Sequence, residues 1–131
     1  MSQAGFFGTG GGGGGGGGGT IYHVTTIDAT ETAIAPILVP IDSAITVYAL
    51  VSGALADYSE AIWSTVTYGA RRSGAGLIAI DMPASSFATD AIPNTLASAR
   101  VNGNNIEITV TGQPGQIWNW SALVFHVTQS I

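Results

Sequence analysis

The run "AITVYALVS", residues 44–52, alternates with a period of two. Ile45, Val47, Ala49 and Val51 share one face of an extended chain, while Thr46, Tyr48 and Leu50 share the other. Successive side chains of a strand point to opposite faces, so the pattern makes this segment β. Both faces are fairly apolar, as expected of a strand covered on both sides. "NIEITVTG", residues 105–112, alternates more sharply, with Ile106, Ile108 and Val110 inward and Glu107, Thr109 and Thr111 outward. Asn102-Gly103 just before it is a hairpin signal, because both residues tolerate positive φ. Strands at 97–102 and 105–111 are therefore expected to pair antiparallel. Others are expected near 21–28, 32–39, 43–52, 61–71, 76–82 and 117–128, where β-branched residues dominate. Pro36 and Pro40 put the second of these at a sheet edge or at its end. "PASSFATDAIPNT", residues 83–95, reads as a long connection with room for one helical turn. Short strands, polar turns and no amphipathic helix define an all-β fold. An antiparallel β-sandwich, jelly-roll-like, is expected.

The folded part is expected to span residues 21–131, preceded by an arm, residues 1–20. That arm carries Phe6 and Phe7 and then ten consecutive glycines: Gly10, Gly11, Gly12, Gly13, Gly14, Gly15, Gly16, Gly17, Gly18 and Gly19. Ordering ten glycines costs at least about 10 kcal/mol of backbone entropy. Two readings stand side by side. The tract is a flexible spacer, or it is an extended arm that packs closely on partners, with Phe6 and Phe7 as an apolar plug. In a polyproline-II-like form it would reach about 30 Å.

Composition narrows the function. Only 8% of residues are charged, there is no lysine, and the net charge is −5. Nucleic-acid binding requires clustered Lys or Arg, and Arg71, Arg72 and Arg100 do not supply it. No window approaches the roughly 20 apolar residues of a transmembrane helix, and no basic-then-apolar start marks a secretory signal. No membrane partner is expected. The absence of cysteine rules out disulfides. So few charges on a soluble chain suggest a surface covered by partners.

No catalytic pattern emerges. Polyglycine satisfies a nucleotide-loop pattern trivially, but it neither follows a strand nor opens a helix, and no lysine is present. His23 and His126 lie far apart, without the companions of a metal site. Asn102 to Glu107 has one carboxylate where a calcium loop carries several. "RRSGAG" lacks the surroundings of a nucleophilic serine. No cofactor is expected. Trp118 and Trp120 point the same way on one strand and, with Trp63, suit a core or a subunit interface better than a sugar platform.

Five segments carry a resemblance: "TTIDATETAI" (25–34), "ITVYALVSG" (45–53), "TYGARRSGAG" (67–76), "ARVNGNNIEITVTG" (99–112) and "GQIWNWSALVFHV" (115–127). Together they resemble a β-domain of tailed-bacteriophage virion structural proteins, covering all but the arm. The resemblance implies a structural, oligomeric domain without enzymatic activity, attached to a capsid or tail. The glycine arm is not part of that pattern. On this footing the expected function is a capsid decoration or cement protein on the virion surface, held to the major capsid protein or another virion protein through its arm. A homotrimer is expected. One alternative is a tail or fibre component with a trimeric polyglycine stalk. The other is a carbohydrate-binding module that takes a glycan on Trp118 and Trp120.

Overall fold

The computed structural model describes residues 19–74, 78–89 and 96–130. Eight strands follow one another: β1 (Thr20–Thr26), β2 (Thr32–Leu38), β3 (Ser43–Leu55), β4 (Ala61–Arg72), β5 (Ile78–Thr89), β6 (Leu96–Asn102), β7 (Asn105–Thr111) and β8 (Trp118–Ser130). Among the described residues there is no helix. Every strand pairing is antiparallel. The strands form a five-stranded sheet, β1-β8-β3-β4-β5, and a three-stranded sheet, β2-β7-β6. β1 beside β8, β8 beside β3 and β2 beside β7 is the nested pairing of a jelly roll. The departure comes after β3, where β4 and β5 stay on as a meander and leave the second sheet narrow.

The alternation in β3 places Ile45, Val47, Ala49 and Val51 between the sheets. Ile62, Val66 and Tyr68 of β4 and Ala122 and Val124 of β8 join them. Ile37, Ile106, Ile108 and Val110 face them from the small sheet. Pro36 sits in β2, an edge strand, where its missing N–H costs no ladder bond. A register shift between Ala33 and Ala35 turns consecutive residues, Ile34 and Ala35, into the core.

Three expectations change. Residues 83–89 of the expected connection belong to β5, because an edge strand accommodates Pro83. Of the helical turn considered within residues 83–95, the part at 83–89 is strand, and residues 90–95 lie outside the described residues. The β6–β7 hairpin closes between Asn102 and Asn105, as the expected strand bounds require, but of the Asn102-Gly103 pair only Gly103 takes positive φ, at 62°, so Gly103 and Asn104 are the turn residues. Glycine first in a two-residue loop relieves that strain. Finally, β3 is covered on one side only, and its other face carries exposed Tyr48 and Leu50.

Candidate functional site

Three of the segments that carry the phage resemblance, with Gly112 of a fourth, meet around Trp118 and Trp120 through Thr26 and Gly53. Trp118 and Trp120 are 0% and 2% exposed, with ring centroids 5.8 Å apart. The Trp120 Nε1–H donates to Thr26 Oγ1 at 3.0 Å. Gly53 passes beneath the indole so closely that a Cβ there would lie 2.5 Å from Trp120 Cε3. Gly112 leaves similar room for Thr26. The recurrent Thr, Gly and Trp positions thus spell a packing unit, not a ligand site. A glycan cannot reach Trp118 or Trp120, and neither is available to a subunit interface. Trp63 differs: it is 55% exposed on the opposite face.

That opposite face is the outer surface of the large sheet. Directly paired residues share a face, so the registers assemble it in rows. One row runs Trp63, Ser52, Ser121, His23; the next runs Thr65, Leu50, Leu123, Ile21. A third brings Thr67, Tyr48 and Phe125 together. His23 Nδ1 shares a 2.9 Å hydrogen bond with Ser121 Oγ. An open trough of about 630 Å³ lies along the first two rows, between Trp63 and Ile21. Ile21 is 63% exposed and Val127, beside Thr46, is 64% exposed. None of the outward positions of β1, β8, β3 and β4 is acidic, and Arg71 is the one ionised residue among them. Covering a large apolar side chain is worth roughly 1.5–3 kcal/mol. This face therefore offers a partner several kilocalories per mole, against an association cost of about 4–15 kcal/mol.

Of the residues expected to act, Trp63 lies on this face. Gly19 borders it: a Cβ there would meet Leu123 Cδ1 at 2.7 Å and Phe125 Cε1 at 2.9 Å. Phe6, Phe7 and Gly10 to Gly18 lie outside the described residues. Ile21, Tyr48, Leu50 and Val127 escaped sequence reasoning as surface residues. For Tyr48 and Leu50 the signal was the second apolar face of the 44–52 alternation, read there as a second covered side.

His23 faces outward and His126 inward, so the two histidines do not meet. Among the described residues no three His, Asp or Glu side chains gather as a metal site would require. Glu107 accepts from Asn102 Nδ2 at 2.9 Å and from Arg100 Nε at 2.9 Å. Those two bonds, the Asn102 amide first, hold its carboxyl below the usual carboxylate range. Arg100 Nη1 also reaches Glu31 at 3.2 Å, and Thr109 donates to Glu31 at 2.7 Å. Both carboxylates are thus occupied on the outer face of the small sheet.

No protein-family model and no curated protein sequence matches this chain. Two solved structures align with it. One is the tailspike protein of Acinetobacter baumannii phage AM24, at 10% identity and a TM-score of 0.46. The other is tailspike protein gp49 from Acinetobacter baumannii bacteriophage Fri1, a capsular polysaccharide depolymerase, at 11% identity and a TM-score of 0.39. Each alignment covers 82% of this chain, but only 26% and 17% of the respective tailspike.

Proposed function

We propose that this chain is a structural module of a tailed-bacteriophage particle, a tail or fibre component, held in place through the outer face of its large sheet and without catalytic activity. The observation that carries the reading is that face: apolar, with no acidic residue at the outward positions of β1, β8, β3 and β4, in a chain of net charge −5. Interfaces between permanently associated subunits have this apolar character, whereas transient contacts resemble ordinary surface. The phage assignment is supported by the sequence resemblance, whose Thr26, Gly53, Gly112 and Trp120 pack together. Contacts among tail subunits suit such a face better than a site on a foreign shell. Fractionation of purified particles should find the chain with tails. Trp63→Asp should fold normally by circular dichroism yet fail to incorporate. Recovery with heads would favour the decoration role instead, and absence from particles would overturn the reading.

One arrangement supports a second reading. Trp63, Ser52, Ser121 and His23 form an indole platform followed by two hydroxyls and an imidazole, a sequence of groups that a neutral glycan could lie along. Glycan binding lost in Trp63→Ala, with incorporation intact, would favour it.

A further inference from the structure

The two sheets have four edges, and they are not equally protected. An edge strand presents unpaired N–H and C=O groups to any other strand, and proteins blunt this with proline, charge or bulges. β2 carries Pro36 and the register shift at Ala33/Ala35. β5 carries Asp81 and Pro83, and its ladder with β4 shifts between Thr67 and Gly69. β6 carries Arg100. β1 has none of these devices. Its sequence, TIYHVTT, contains no proline, glycine, acid, lysine or arginine, and it pairs with β8 from Thr20 to Thr26 without a shift. Thr20, Ile21, His23 and Thr25 are exposed. None of the described turn and loop backbone hydrogen bonds involves this strand.

We propose that the free edge of β1 pairs antiparallel with β1 of a second copy, about a two-fold axis at His23. This deepens the assembly reading above and rests on it. The strand is complementary to itself in that register. Tyr22 falls opposite Val24 on the inner side, and Ile21 falls opposite Thr25 on the outer side; aromatic–β-branched and β-branched pairs are favourable cross-strand neighbours. Thr20 falls opposite Thr26. Asp28, the nearest acid along the chain, lies beyond the end of the strand at Thr26, so no carboxylate falls within the paired residues. The pairing joins two five-stranded sheets into one and makes their outer faces a single apolar surface. A foreign strand would need an equally bare edge, and β1 itself is the one the described residues provide.

The test exploits the axis. His23→Lys and His23→Glu each set like charges against one another in the pair. Each should raise the dimer dissociation constant of the full-length chain roughly tenfold or more in sedimentation equilibrium. An equimolar mixture of the two should associate again, because the pair then carries opposite charges. In the associated state, amides on the β1 edge away from β8 should gain protection from hydrogen exchange. A monomer at all accessible concentrations, a three-fold mass, or indifference to both charges would overturn the pairing. Particle-bound protein that is monomeric when purified would overturn the pairing alone. An intact dimer absent from particles would overturn the virion reading alone.

Discussion

Tyr68 brings its hydroxyl into the sandwich with no hydrogen-bond partner among the described residues. Burial pushes its pKa above the ordinary phenol value. A group whose folded pKa is raised contributes stability below its unfolded pKa and loses it as pH climbs toward the folded value. The wild type should therefore hold its denaturation midpoint up to about pH 10 and weaken above it. Tyr68→Phe should match or exceed wild-type stability at neutral pH, by up to about 1 kcal/mol, since an unpaired buried hydroxyl is removed. Its alkaline decline should be shallower. Urea titrations across pH measure both effects. At this scale the sequence was informative about direction and silent about depth. Alternation showed that Trp118 and Trp120 share a face, but only the closeness of Gly53 and Thr26 makes that face a sealed interior.

Among elements, the strands were largely legible because period-two patterning is local. β5 was legible only up to residue 82, since Pro83 reads as a terminator unless the strand is known to lie at an edge. β7 was half legible. Its inward residues follow the alternation, yet Glu107 and Thr109 on the outward side are buried too, at 8% and 0% exposure. They are covered by a network that includes Glu31, distant in sequence, so no local pattern announces it. The network gives the small sheet an acid sensitivity. Because the folded pKa of Glu107 is depressed, its contribution is present above the ordinary carboxylate pKa and lost as pH falls below it. Glu107→Gln should lower the denaturation midpoint at pH 7 and flatten the loss between about pH 5 and pH 3.

For the whole molecule, the sandwich should be indifferent to its leading segment. Every residue of the buried cluster lies between Ile34 and Val124. Deleting residues 1–18 while keeping Gly19 against Phe125 should leave the thermal midpoint unchanged. If the arm anchors the protein through Phe6 and Phe7, the same deletion should release it from particles; retention at unchanged occupancy would show the tract to be a spacer. The candidate surface was partly legible at this scale. Trp63 and the scarcity of charge pointed to a covered face, but which face depended on how the strands were dealt between two sheets.

The pairing of β1 with β8 also sets an order of events in time. Trp120 and Thr26, bonded across that ladder, stand 94 residues apart. β3, β4 and β5 can form consecutive hairpins as they emerge from the ribosome. β1 must wait until β8 exists, and non-local ladders of this kind slow folding into the millisecond-to-second range. The strand with the unguarded edge is thus seated last. Until β8 is in place, both edges of β1 are unpaired; seating it on β8 covers one and leaves the other as the edge of a completed sheet.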